Sequence, residues 1–177
     1  MYDVSCIPGT VGPVRWLTAE QQRVWRDYLL LTGRLQAAMH RQLHNDCGLS
    51  LSDYDVLVAL SERGRMRISE LARTLGWEQS RLSHQLRRMR DRGLVERHGD
   101  DDDRRGAWLT MSPGGTAALS AAAPAHADLV RTVMFDGLSV PQQGAFGLAI
   151  ETILQRLDAT QRRAPRADRT PGRTRLP

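Results

Sequence analysis

The sequence contains no lysine, so all 25 of its basic side chains are arginine. Any basic contact to phosphate or guanine must then come from a planar, forked guanidinium, although the base composition of the genome accounts for the bias equally well. Cysteine is scarce: Cys6 and Cys47 stand far apart with no CxxC spacing, which leaves a disulfide framework unsupported and makes reduced thiols the expectation. No window holds the roughly 18 consecutive apolar residues of a membrane span. The start MYDVSCIPGTVGP lacks both the basic and the apolar region of a secretion signal, so a cytoplasmic location is expected. There is no Gly-rich phosphate loop and no metalloprotease pair, and the scattered serines, histidines and acids have no catalytic spacing. Neither an enzyme nor a cofactor is expected.

What is present suits one globular domain: 177 residues with 41% hydrophobic content can bury a real core. The formal charge of +5 invites a nucleic-acid reading, but its location weakens the inference. Between Gln161 and Pro177 lie six arginines (Arg162, Arg163, Arg166, Arg169, Arg173 and Arg175) against Asp168, so this stretch alone carries +5 and the rest is neutral overall. A Pro- and Arg-rich tail over 162–177 is expected to be disordered, adding nonspecific phosphate affinity or merely being solvated. Residues 1–17 are expected to be a flexible segment. The domain is expected over 18–161.

Most of that span has helical periodicity. Thr18 can cap a first helix in which Val24, Tyr28, Leu31, Leu35 and Ala38 follow an apolar stripe, widened by Trp25, Leu29 and Met39 and ended by Gly48. Its broad apolar face suggests a dimer interface. Ser52 to Glu62 reads as a short core helix with a capping serine, the apolar set Val56, Leu57 and Leu60, and a stop at Gly64.

The informative stretch runs from Ile68 to Gly115. Ser69 can cap a helix whose buried side is Leu71, Ala72 and Leu75; Gly76 permits a turn; and a second helix from about Glu78 to Arg92 places Leu82, Leu86 and Met89 on one face. Gln79, Ser80, Arg81, Ser83, His84, Arg87 and Arg88 lie on or beside the other, the candidate reading face. A major groove admits one α-helix, so short polar side chains near its start allow close approach, Gln79 can pair with adenine, and arginine can hold guanine or phosphate. From Arg81 to His98, six arginines against Asp91 and Glu96 give a local +4. Arg90 and Arg92 read as solvated or intramolecular partners. Gly93 then stops the helix, and strand-like segments Leu94–His98 and Ala107–Met111 flank a charged tip, as in a hairpin.

The segments ISELARTLG, SRLSHQLRRMRDRGLVER and DRRGAWLTMSPGG resemble the MarR family of regulators, named for multiple antibiotic resistance, over roughly Ala19 to Gln161. The resemblance implies a mainly α fold with a small β-hairpin wing: a winged helix-turn-helix at about 52–111, with dimerisation helices at about 18–47 and 112–161. The family's wing pattern falls on Asp103, Arg105, Met111 and Ser112, with Met-Ser replacing the usual Leu-Thr; Met keeps the apolar strand position and Ser can still cap the next helix. By resemblance Arg105 enters the minor groove, Asp103 steadies a wing arginine, and Arg104 is an alternative contact, although the acidic run Asp100 to Asp103 is unusual for a DNA-facing tip. Helices from Ser112 to about Phe135 and from Ser139 to about Arg163, the latter carrying Phe146, Ile150, Ile153 and Leu157, are expected to interlock with a second copy. That would set two reading helices roughly 34–36 Å apart on a palindromic operator.

The resemblance thus implies a sequence-specific regulator acting as a homodimer on double-stranded DNA, repression being the commoner mode. It also implies a small aromatic or phenolic effector between the dimerisation helices and the DNA-binding part, where Trp16, Trp25, Tyr28 and Tyr54 are candidate lining residues; aromatics at helical spacing are equally often plain core. His40, His44 and Cys47 share one side of the first helix at metal-ligand spacing, but no fourth ligand is evident and helix-end roles explain them as well. Some relatives use a peroxide-sensing cysteine, yet neither Cys6 nor Cys47 has a resolving partner in view. Two alternatives stay open: a winged-helix protein-interaction module without specific DNA binding, and a redox- or metal-sensing regulator of the same fold.

Overall fold

Local capping signals set most of the element boundaries. The computed structural model describes residues 15–99 and 107–163, the last three without their side chains. The first helix, α1, spans Ala19–Cys47. Thr18 opens it with a reciprocal box, its Oγ1 accepting from the Gln21 N–H and its own N–H donating to Gln21 Oε1. Gly48, at φ 63°, closes it by donating back to the carbonyls of His44 and Leu43. Helix α2 covers Leu51–Arg63 and is capped by Ser50 rather than the expected Ser52. Both serines have an aspartate three residues on. The earlier start wins because Asp53 answers the Ser50 N–H at 2.9 Å while its carboxylate is also held from behind by other elements.

A two-residue strand, β1 (Met66–Arg67), precedes α3 (Ile68–Leu75). It is too short to show alternation in sequence, and it displaces the expected cap. Arg67 pairs with Trp108 and enters α3 in extended conformation, so Ser69 lies inside the first turn and the helix start has no side-chain cap. Gly76 ends α3 at φ 65°, where any side chain would be strained, and turns the chain into α4 (Gln79–Asp91). Strands β2 (Val95–His98) and β3 (Trp108–Met111) pair antiparallel, Val95 opposite Met111 and His98 opposite Trp108, in a sheet of order β1-β3-β2. Helices α5 (Pro113–Met134) and α6 (Val140–Arg163) follow. The fold is therefore mainly α with a small antiparallel hairpin sheet, as expected of a winged helix-turn-helix.

The chain divides into two compact units between His126 and Ala127. In the first, a continuous core gathers Leu43 of α1, Val56, Leu57 and Leu60 of α2, Leu71 of α3, Leu82, Leu86 and Met89 of α4, Val95 and Leu109 of the hairpin, and Ala122 of α5. Ser112 ties α5 to the exit of α4: its N–H donates to Leu94 O, its Oγ to Gly93 O, and Oγ accepts from the Gly115 N–H as the helix cap. The second unit comprises the end of α5 and α6; no described side chain of α6 is buried, and Val140, Leu148, Ile150, Ile153, Leu154 and Leu157 are exposed.

Candidate nucleic-acid interface

Helix α4 is seated by Leu82, Gln85, Leu86 and Met89, all buried, and this anchoring decides what its outer surface presents. Gln79, Ser80, Arg81, Ser83, His84, Arg87 and Arg88 are all exposed. Ser80, His84 and Arg87 sit near the centre of that face by helical phase. Ser83 Oγ donates to Gln79 O at 2.8 Å, leaving its oxygen free to accept. An Arg87 nitrogen lies 3.3 Å from His84 Nδ1, and a guanidinium can only donate in such a contact. Arg81 and Arg88 occupy one flank. Arg81 stacks on Trp77, 4.5 Å from the ring centroid, and Arg88 donates to Gln85 Oε1.

The opposite flank borders a groove of about 400 Å³. Ile68, Leu86, Ala107 and Leu109 supply its apolar lining, and Arg67, Arg87, Arg90 and Arg97 contribute four guanidinium groups. No carboxylate lines it among the described residues. Arg65 and Arg67 also stand over the Trp108 ring at 4.3 and 5.0 Å, crowding further positive charge at the base of the hairpin. Such a channel between a reading helix and a wing matches the negative potential of a phosphate backbone. Asp103, Arg104 and Arg105, the expected wing residues, lie outside the described residues.

Behind α4, the buried Asp53 carboxylate accepts from Gln85 Nε2 at 2.5 Å and from Arg92 at 2.8 Å, and Arg92 also donates to Gly48 O. Arg92 is thus an intramolecular partner, whereas Arg90 faces the groove.

A second cavity of about 500 Å³ lies among α1, α2, α3 and α5, lined by Gln36, Met39, Tyr54, Asp55, Val58, Glu62, Leu75, Trp77 and His126, with Leu51, Ala59 and Thr74. Tyr54 and His126 pack ring to ring at 4.3 Å. Burial raises the Tyr54 pKa, with Asp55 adding to the effect, and lowers that of His126. Burial also raises the Asp55 pKa, partly offset by Arg81. Of the four aromatic residues expected around an effector, Tyr54 alone is in this lining. Trp16, Trp25 and Tyr28 are at least half exposed, Trp25 and Tyr28 stacking on each other at 5.6 Å along α1. Nor does the structure gather His40, His44 and Cys47 into a metal centre. The two imidazoles stack 6.1 Å apart while Cys47 turns toward the core, and no group of three or more potential ligands is arranged for a metal among the described residues.

This architecture has close counterparts. The model of the MarR family matches residues 48–106, from just after α1 to just before β3. AbsC, a MarR family transcriptional regulator from Streptomyces coelicolor, is 35% identical over 82% of this chain and 99% of its own, with a TM-score of 0.75. The chain belongs to the MarR family. A second MarR family regulator from that organism, Sco3205, solved in complex with DNA, is 38% identical over 80% of this chain and 94% of its own, also with a TM-score of 0.75. At 21% identity, PcaV from Streptomyces coelicolor, solved with its natural ligand, shares the MarR fold with a TM-score of 0.60 over 71% of this chain and 89% of its own. No curated protein sequence matches. Within the MarR framework the chain is a DNA-binding transcriptional regulator. No helix among the described residues is long and apolar enough to cross a membrane.

Sequence reasoning missed Arg67, Arg97 as a groove residue, and the Asp53–Gln85–Arg92 cluster. Arg67 depends on the unseen β1. The cluster joins residues 32 and 39 positions apart, and no local pattern encodes that meeting. The one available hint was Gln85, a polar residue at the i+3 position from Leu82 on the apolar side of α4.

Proposed function

We propose that this MarR family protein is a cytoplasmic, homodimeric, ligand-responsive repressor that reads a palindromic operator with α4 and performs no chemistry of its own. The observation that carries the reading is the outer surface of α4, where Gln79, Ser80, Ser83, His84 and Arg87 stand exposed beside a groove with four arginines and, among the described residues, no carboxylate. Gln79, Ser80, Ser83, His84 and Arg87 face base edges and adjoining phosphates; Arg81 and Arg88 hold backbone phosphates on the far flank. Arg105 or Arg104, with Asp103 in support, extends the contact through the wing. That Sco3205 was solved in complex with DNA supports the DNA-binding reading as a whole.

Homodimerisation is supported by the apolar side chains left bare in each unit: Val24, Trp25, Tyr28, Leu29 and Leu31 on α1, and Ile150, Ile153, Leu154 and Leu157 on α6. Exposed apolar side chains gathered on one helix mark association surfaces. An effector occupies the cavity of Tyr54, Trp77 and His126 and biases the spacing of the two reading helices, so that ligand and operator binding are coupled. PcaV with its natural ligand is a structural precedent for a ligand-bound member of the fold.

Selection of bound sequences from random duplex DNA by the full-length protein tests the reading. A recovered palindrome bound far more tightly than a scrambled duplex is the expected result. Weak binding that salt abolishes equally for both duplexes would refute it and leave a protein-interaction module.

A further inference from the structure

Gln85 is an amide on the buried side of a helix whose neighbours there are apolar, and it is 5% exposed. Both ends of its side chain are used. Nε2 donates to Asp53 Oδ1 at 2.5 Å, and Oε1 accepts from Arg88 Nη2 at 2.5 Å. One amide orientation satisfies both: turned over, its carbonyl would face a carboxylate and its NH2 a guanidinium, each a repulsive contact. The far end of the chain is fixed. Asp53 is 2% exposed, accepts the Ser50 N–H in the α2 capping box, and pairs with Arg92 at the C-terminal end of α4. Arg88 is exposed and forms no ion pair among the described residues, so its remaining N–H groups face solvent.

We propose that Gln85 is a positioning residue for DNA binding, relaying the buried Asp53 carboxylate to Arg88 so that the guanidinium is already ordered when it meets a backbone phosphate. The inference rests on the reading of Arg88 as a phosphate contact. An arginine free in solution loses rotamer freedom when it docks. Here Gln85 holds one terminal nitrogen of the fork before DNA arrives, and Gln85 is itself anchored by Asp53 of α2, an element behind the reading helix. A salt-dependent contact that would otherwise be soft thereby becomes part of a rigid surface. Arg87 has no comparable support, since its described partner, His84, is itself exposed.

The test is a double-mutant cycle on the full chain with the selected operator, read by anisotropy across a salt series: wild type, Gln85→Met, Arg88→Ala and both together. Arg88→Ala removes one phosphate contact in each half-site of the dimer complex and is expected to lower the slope of log affinity against log salt by about 1.8. Gln85→Met is expected to weaken binding about 5- to 100-fold, the cost of ordering one long side chain in each of the two subunits. Together they are expected to behave as Arg88→Ala alone. Equal losses from Gln85→Met with and without Arg88 would overturn the relay, because a purely structural glutamine acts independently of the arginine. An Arg88→Ala protein with unchanged affinity and salt slope would instead overturn the phosphate contact itself, and the relay with it. If Gln85→Met shows no cooperative melt, the exchange Asp53→Asn with Gln85→Glu decides. Its asparagine amide donates to the new carboxylate, which still accepts from Arg88. Operator affinity within about threefold of wild type is expected, on the scale of one immobilised side chain, and a loss as large as that of Arg88→Ala overturns the proposal.

Discussion

Replacing Asp53 with alanine is expected to be among the most damaging single changes in the DNA-binding unit, although Asp53 touches no DNA in this account. Three losses coincide. The carboxylate half of the α2 capping box goes, its bond from the Ser50 N–H being worth about 1 kcal/mol, while the backbone N–H of residue 53 still donates to Ser50 Oγ. Gln85 Nε2 is left as a buried donor without its partner, at about 1–3 kcal/mol. The ion pair with Arg92 also goes, but that side chain is 44% exposed, so solvent screening limits this part to about 0–1 kcal/mol. The sum is about 3 kcal/mol, and with an m-value near 2 kcal/mol/M the urea midpoint should fall by about 1.5 M. Unfolding would be followed by circular dichroism and tryptophan fluorescence at one fixed protein concentration, since stability in a dimer depends on it. Asp55→Ala is the control. Burial raises the Asp55 pKa, so its charged form gains little from folding, and removing it should change the midpoint by under about 0.5 M. Midpoints shifted equally by the two substitutions would refute the reasoning about Asp53.

Other outcomes follow from the same packing. Gly115→Ala puts a methyl group into the Leu94 carbonyl oxygen, 2.9 Å from Met111 Cγ and 3.1 Å from Leu57 Cδ2; α5 cannot reseat without breaking the Ser112 cap, so a loss of about 3 kcal/mol or more is expected in chemical denaturation. Because burial lowers the His126 pKa below its unfolded value near 6.5, the unfolded chain takes up that proton first as pH falls. Stability attributable to neutral His126 is therefore complete above about pH 6.5 and is lost as pH drops through the folded pKa, and His126→Gln should flatten the stability curve on the acid side. Parallel curves for the two proteins would contradict this. Leu154→Glu puts a charge on the bare apolar face of α6 and is expected to shift the protein from dimer to monomer in sedimentation, with operator affinity falling alongside.

The sequence was most readable where one local signal suffices. Gly48, Gly64, Gly76 and Gly93 each signal a stop or turn in the sequence, and all four have positive φ. Leu82, Leu86 and Met89 placed the buried side of α4 correctly because helical phase follows from spacing alone. Boundaries failed where two local solutions competed or tertiary pairing intervened. Ser50 and Ser52 offer overlapping caps, and the choice between them depends on where Asp53 meets Gln85 and Arg92; Ser69 lost its place to Arg67 because β1 pairs with β3. The reading face was legible as a list of polar side chains. Its organisation was not: which arginine is tied back, stacked on Trp77 or turned into the groove is decided by neighbours distant in sequence. The aromatic residues show the same limit, since hydropathy could not separate Tyr54 in the cavity from Trp25 and Tyr28 on a bare face.

The central claim is that the outer face of α4 reads DNA. Anisotropy titration of wild type and Arg87→Ala on the selected operator and on a scrambled duplex, at low and near-physiological salt, tests it most directly. The account predicts that the substitution weakens operator binding by about 5- to 100-fold while changing binding to the scrambled duplex far less, which narrows the preference between them. Equal affinity of the two proteins for the operator would contradict it and take α4 out of the DNA interface.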